Sequence, residues 1–276
     1  MAALTNAIDR GILAQAGGET SRFTLVRKAP ADDLAEIVDR FWMVRWDLTG
    51  EPALEQETLP FPCVNMVIGD HRPGVHGPTT ARFVARLEGG GWVLGTKFRP
   101  AGFRGMTART KSPADLVDAA LALAEVLGSE GAALERAVLA AAPEDPRAAI
   151  ALVERFVRSR HAGVHDDDRE ANQIVEQVRV DAAITRVAEL AARAGMPIRA
   201  LERLFRARVG VSPKWVIRRF RVQEAAARLA AGDALDLAVL ALDLGYFDQP
   251  HFNRDFKSQI GRTPAQYAKL CASRAR

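Results

Sequence analysis

The sequence predicts a multidomain α+β protein: a β-rich N-terminal domain with a helical extension, then an all-α C-terminal domain of two helix-turn-helix motifs joined by a long helix. Three observations carry this. Short β-branched and aromatic runs parted by Gly, Pro and Asp fill the first hundred residues; apolar residues at three- and four-residue steps take over from Pro113; and one helix-turn-helix pattern occurs twice after residue 186. With 276 residues and 48% hydrophobic content, the chain can bury two ordinary cores.

The runs 22–29 (RFTLVRKA), 41–48 (FWMVRWDL), 63–70 (CVNMVIGD), 81–87 (ARFVARL) and 91–98 (GWVLGTKF) read as strands of a small antiparallel sheet or barrel. Between the first two, Ala31-Asp32-Asp33 ahead of Leu34, Ile37 and Val38 predicts a helix over 31–40. From Pro113 helices are expected over 113–128, 132–141 and 145–160, with Ser112-Pro113 and Asp145-Pro146 each supplying an N-cap and a first-turn proline. These helices fit either a dimer interface or a cover for one sheet face. Residues 161–173 lose the apolar period and carry Asp166, Asp167 and Asp168, which suit a solvated linker or a helix start better than a metal site. The expected organisation is therefore a regulatory domain over 1–112, a helical bridge or dimerisation segment over 113–160, a linker over 161–171 and a helical domain over 172–276.

In the stretch 186–216 (RVAELAARAGMPIRALERLFRARVGVSPKWV), Gly195 stops one helix and Pro197 fits the first turn of the next. Leu201, Leu204 and Phe205 fall on one side of that second helix, and Arg199, Glu202, Arg203 and Arg206 on the other. The pattern returns at 240–267: Gly245 matches Gly195, and after one extra turn residue Phe252, Arg254, Phe256 and Gly261 match Leu201, Arg203, Phe205 and Gly210. Thr263-Pro264 likewise matches Ser212-Pro213. A single such pattern can arise from any pair of packed helices. Two copies with retained positions point to DNA.

Charge agrees. Residues 172–276 hold about 18 Lys and Arg against about 10 Asp and Glu, near +8, so the rest of the chain is near −4 of the total +4. The two cysteines, Cys63 and Cys271, lie in different halves and offer neither a disulfide framework nor metal-ligand spacing. No run of about twenty apolar residues and no export signal stands out, so a cytoplasmic protein without a membrane partner is expected.

The segments AELAARAG, R-x-L-x-R-x-F, G-V-S-P, then G-Y-F-D-Q-P-H-F-N-R-D-F-K and G-R-T-P-x-Q-Y resemble the C-terminal domain of AraC/XylS-type bacterial transcription regulators, over roughly residues 172–270. Met196 stands where many relatives carry a capping residue, so the first recognition helix is expected to lack a side-chain N-cap. The resemblance implies a transcription regulator, an activator or a repressor, with double-stranded DNA and RNA polymerase as partners. It also implies base-facing roles for Arg199, Glu202 and Arg203, and for Gln249, Pro250, His251, Asn253 and Arg254. Helical geometry independently turns Pro250, His251, Arg254 and Lys257 away from the packed side set by Phe252 and Phe256. Asp248 reads as the helix N-cap. In the connecting helix, 212–230, Trp215, Val216, Phe220 and Ala227 are expected to pack, and some of Arg218, Arg219 and Arg221 to meet phosphates or solvent.

More loosely, 41–48, 59–67 and 95–103 resemble the β-rich N-terminal domain of a subset of these regulators. That implies a cupin-like fold which senses a small molecule or forms a homodimer. His71 and His76 flank a loop sequence and no third His follows in the sheet region, so neither a metal cofactor nor metal-dependent catalysis is expected. Trp42, Trp46, Trp92 and Phe98 would line a pocket for an apolar effector or fill a sealed core. An enzyme that transfers an alkyl group to a reactive Cys would need a better candidate than Cys63, which lies within an apolar run. The acidic N-terminal half argues against a simple DNA-bending protein.

Overall fold

The computed structural model describes residues 23–107, 112–161, 163–231 and 236–274. A six-stranded antiparallel sheet runs in the order β1-β2-β7-β4-β5-β8, from β1 (Phe23–Lys28), β2 (Val38–Leu48), β7 (Gly89–Phe98), β4 (Asn65–Gly69), β5 (Gly74–His76) and β8 (Ala120–Leu121). A separate two-stranded sheet pairs β3 (Leu54–Thr58) with β6 (Phe83–Leu87). Alternation along β2 and β7 sorts their side chains to two faces. Phe41, Met43, Leu94 and Phe98 face one core, which α1 (Leu123–Ala141) and α2 (Pro146–Arg160) cover. Trp46 and Val93 turn the other way, towards β3 and β6, together with partly buried Trp42 and Val44. The helical hairpin thus covers one sheet face.

Several expectations are corrected. Only Asp32–Leu34 form a 3-10 turn where a helix over 31–40 was predicted, because β2 begins at Val38 and pairs with β7; strand pairing overrides a weak three-residue helix start. Residues 113–116 form a 3-10 turn with a capping box between Ser112 and Asp115, and Ala120–Leu121 pair with β5, so regular helix begins at Leu123 instead of Pro113. Asp145 does cap α2, accepting from the backbone N–H groups of Arg147 and Ala148. Residues 166–171, expected in a linker, are the opening turns of α3 (Asp166–Val180). Asp168 is buried there and accepts from Arg208 at 3.0 Å, while Asp167 also accepts from Arg208.

The remaining helices are α4 (Val187–Arg193), α5 (Ile198–Arg208), α6 (Pro213–Ala230), α7 (Leu237–Asp243), α8 (Gln249–Ile260) and α9 (Pro264–Arg274). One core gathers α3, α4 and α5 on Val216, Ile217 and Phe220 of α6. A second gathers α7, α8 and α9 on Val222, Ala225, Ala226 and Leu229 of the same helix. The connecting helix therefore contributes its first half to one helix-turn-helix unit and its second half to the other. Of the residues expected to pack there, Val216 and Phe220 are buried, whereas Trp215 and Ala227 are half-buried.

Candidate nucleic-acid interface

The two units repeat one another in their local chemistry. Gly195 and Gly245 both adopt left-handed backbone, φ +66° and +69°, which lets the chain reverse between the helices at a conformation other residues enter only with strain. Leu190 and Leu240, Leu201 and Phe252, and Phe205 and Phe256 are buried at matching positions. Ser212 accepts from the backbone of Trp215 at 3.2 Å and Thr263 from that of Gln266 at 3.3 Å, so even the caps after the recognition helices recur.

The entry to the two recognition helices differs. Asp248 caps α8 by accepting from the His251 N–H at 2.7 Å. Pro197 is the N-cap residue of α5, one position before the first-turn place expected for it, and no side chain caps that helix.

Opposite the packed side, Arg199, Glu202, Arg203 and Arg206 of α5 and Pro250, His251, Arg254 and Lys257 of α8 are all exposed. Gln249 and Asn253 are half-buried. Asn253 Oδ1 is enclosed without a hydrogen-bond partner, and the His251 ring stands edge-on to Tyr246 at 5.3 Å. Among the described residues, Arg199, Arg203, Arg206, Arg254 and Lys257 form no ion pair and no side-chain hydrogen bond, whereas Arg193, Arg208, Arg218, Arg228 and Arg262 are all paired with carboxylates. Unpaired guanidinium groups on two equivalent helix faces are free to bind guanine edges or phosphates.

Of the connecting-helix arginines, Arg218 reaches solvent as expected, its side chain 42% exposed, yet all three also bind groups within the protein. Arg218 makes a bidentate pair with Asp255, which also accepts from Tyr246 at 2.7 Å and Gln259 at 3.1 Å. Burial pushes the Asp255 carboxyl up, but these hydrogen bonds prevail and hold it below the usual aspartate value. Arg221 donates to the Thr185 carbonyl. Arg219 is fully buried, lies 4.6 Å over the Trp215 ring, and donates to the carbonyls of Thr79 at 2.9 Å and Thr80 at 2.7 Å.

Those last bonds join the two domains, and others accompany them. Gln223 donates to the Leu59 carbonyl at 2.8 Å, Phe61 meets Phe220 edge-on at 5.7 Å, and Glu57 accepts from Arg262 at 2.6 and 3.0 Å and from Arg82 at 2.5 Å. Leu59 is buried within the core of the second unit. Segment 57–61 and Thr79 thus bridge the β domain to α6 and α9.

Thr58, Leu59, Pro60, Phe61 and Thr79 also line a cavity of about 290 Å³ between the two sheets. Of the four aromatics expected there, only Trp42 reaches it. A Cβ on Gly95, its register partner on β7, would lie 1.9 Å from the indole, so the ring is laid flat across the strand. Phe98 and Trp92 point to the opposite face, because even-numbered positions of β7 belong to the α1 and α2 core. Trp46 is buried beside the cavity and donates Nε1 to the Glu88 carbonyl at 3.2 Å. Lys97 and Arg40, which do line it, were not singled out from the sequence. The available signal was a cation at an inward position of each strand, in phase with Val93 and with Trp42. His71 and His76 stand at the same cavity, and a His76 ring nitrogen lies 2.8 Å from the Arg72 carbonyl. Burial pushes the Cys63 thiol up to about 11, which leaves it protonated and a poor nucleophile.

Comparison with known proteins locates these parts. Residues 190–270 match the family model described as a helix-turn-helix domain, and residues 26–120 match a domain of unknown function, DUF6597. The transcriptional activator NphR of Rhodococcus sp is 33% identical over 123 residues, 44% of this chain and 36% of that protein, so the chain spans about a third of the length of that curated relative. Among solved structures, ToxT from Vibrio cholerae O395 is similar at 13% identity over 91% of this chain and 97% of that one, TM-score 0.39. The C-terminal domain of AraT from Geobacillus stearothermophilus is similar at 22% identity over 39% and 88%, TM-score 0.33. No described helix is long and apolar enough to cross a membrane.

Proposed function

We propose that this chain is an AraC/XylS-type, sequence-specific DNA-binding transcription regulator whose N-terminal domain responds to a small molecule. The observation that carries the reading is the repeated face of unpaired cations on α5 and α8, set against a background in which the other described arginines of α6 and its surroundings are tied down. The two recognition helices enter successive major-groove segments about 34 Å apart on one face of the duplex. In that pose Arg199, Arg203 and Arg254 read guanine O6 and N7, Glu202 accepts from cytosine N4, and Arg206 and Lys257 hold phosphates. Gln249, His251 and Asn253 complete the second half of the site, and Pro250 offers apolar contact to a thymine methyl. RNA polymerase is the further partner that activation would need.

The response to a small molecule runs through residues 58–61 and Thr79. They line the cavity on one side and bind Gln223, Phe220 and Arg219 of α6 on the other. A ligand that moves this wall changes how both units are held, and its effect on DNA affinity equals its differential affinity for the two arrangements. Selection of binding sites from random duplexes by the full chain tests the reading. An asymmetric, two-part consensus is expected, and a pool that shows no enrichment would remove it.

A further inference from the structure

The turn of the second helix-turn-helix unit is one residue longer than that of the first, and its hydrogen bonds identify the extra residue. After each left-handed glycine, the Met196 N–H donates to the Ala191 carbonyl at 3.1 Å and the Tyr246 N–H to the Ala241 carbonyl at 2.9 Å, so these two residues close equivalent helix ends. Pro197, the N-cap of α5, follows Met196 directly, whereas Phe247 stands between Tyr246 and Asp248, the N-cap of α8. Phe247 is 88% exposed, the most exposed of the large apolar side chains among the described residues.

Local packing does not account for that exposure. An apolar residue directly before an N-cap often packs on the fourth residue of the helix and fixes the entry of the chain. Here the fourth residue, Phe252, is fully buried and meets the Tyr246 ring at 5.3 Å instead. The Tyr246 ring also meets His251 at 5.3 Å and carries Arg221 at 5.4 Å, while Phe247 makes no ring contact among the described residues. Phe247 precedes Pro250, His251 and Arg254 by three, four and seven residues, the spacing of one helix face, and all three are exposed. The backbone is extended at Asp248, φ −152° and ψ 167°, so the Phe247 ring stands off the end of that face.

The N-terminal residues of a recognition helix are the ones that reach base edges. A phenyl ring there has no donor or acceptor to offer, and the one apolar group that base edges present in the major groove is the C5 methyl of thymine. We propose that Phe247 reads a thymine methyl at the end of the half-site bound by α8, a contact for which the first unit has no counterpart. The proposal deepens the DNA-binding reading above and rests on it. Its rival is a protein-docking patch shared with Val239 and Leu242 of α7, which are 53% and 63% exposed. Continuity with the outward face of α8 favours DNA.

Fluorescence anisotropy with the full chain on its selected duplex tests this. Each thymine in the half whose preference Arg254→Ala relaxes is replaced in turn by deoxyuridine, which removes only the methyl group. One replacement is expected to weaken the parent chain about fourfold, the equivalent of one methyl-sized apolar group left unburied. The same replacement should leave Phe247→Ala unaffected, that variant being already several-fold weaker on the thymine duplex. Phe247→Leu should keep part of the sensitivity, and Leu242→Ser should behave as the parent chain does. A half-site without thymine, no deoxyuridine penalty at any thymine in it, or a penalty that persists in Phe247→Ala would each overturn the proposal. Equal affinity of Phe247→Ala and the parent chain for both duplexes would also overturn it and place the ring in a protein-docking patch. If no duplex is enriched from random pools, the DNA-binding reading fails and the proposal falls with it; an enriched duplex on which Phe247 is silent removes the proposal alone.

Discussion

Arg219 of the connecting helix donates from one nitrogen to the carbonyls of both Thr79 and Thr80, and its Nε and Nη1 are buried with no partner. Burial draws its pKa down to about 10, so the guanidinium stays charged at neutral pH and depends on those two carbonyls and the Trp215 ring. Thr80 is itself held by Asp118, through its N–H and its hydroxyl at 2.6 Å each. A buried charge whose hydrogen-bond acceptors all lie across the domain boundary makes docking of the β domain specific in register.

Replacing Arg219 by Ala should therefore loosen the boundary more than the helix. We expect a loss of about 1.5–3 kcal/mol in urea unfolding, the range for hydrogen bonds to charged groups. Faster amide exchange should concentrate in residues 77–82 while the α6 amides keep their protection. Uniformly faster exchange across α6 would show that Arg219 supports the helix itself and not the docking.

Base readout is tested at the two equivalent outward arginines. Arg203→Ala and Arg254→Ala should each cost about 1–3 kcal/mol on the selected site and relax preference in one half only, the half differing between the two variants. Arg206→Ala or Lys257→Ala should instead weaken all sequences alike and lower the slope of log affinity against log salt by about one. Fluorescence anisotropy on specific and scrambled duplexes over a salt series separates the classes. If Arg203→Ala weakens both duplexes equally, that residue touches phosphate.

How much of this was legible follows from which forces act locally. The recognition faces could be read because a helix repeats every 3.6 residues, and Phe252 and Phe256 fix the outward side without knowledge of anything else. The turn glycines and the Asp248 cap were equally local. The internal partners of Arg218, Arg219 and Arg221 were not legible, because Asp255, Thr79, Thr80 and Thr185 lie far along the chain, and nothing in Arg-Arg-Phe-Arg reports a buried carboxylate 37 residues away. Residues 31–40 failed for the same reason: β2 is a strand because β1 and β7 flank it. In the cavity, the parity of Trp42 was visible, but its separation from Phe98 and Trp92 required the register Trp42↔Gly95.

Acid should weaken the domain boundary. Burial raises the Glu57 carboxyl, but hydrogen bonds from Arg262 and Arg82 outweigh it and hold the group below its ordinary value of 4.5; Asp255 is likewise held below 3.8. A carboxylate whose pKa is lower in the folded state stabilises above its unfolded value, and that stabilisation disappears as pH falls through the folded value. Melting temperature is thus expected to be flat in these two groups near neutrality and to fall below about pH 4. Glu57→Gln should melt lower at pH 7 yet decline less steeply in acid. Parallel curves for the parent and Glu57→Gln would contradict the assigned ion pair.

The start of the DNA-binding unit gives the last prediction. A boundary at residue 172 cuts α3 after its sixth residue, removes buried Ala171, and leaves Arg208 without Asp167 and Asp168. The nine helical residues that remain are too few to hold a stable helix by themselves, although Ile174, Val175 and Val178 are needed in the core under α5. A fragment spanning 163–276 should therefore fold alone and bind the selected site. A fragment spanning 172–276 should unfold at lower urea, by about 1–3 kcal/mol for the loss of the buried charge-assisted bond, and favour non-specific over specific DNA. Equal urea midpoints would show that α3 before residue 172 belongs with the β domain. Specific binding by the longer fragment only when residues 1–160 are added in trans would instead show that segment 57–61, with Leu59 in the second core, is a required part of the unit.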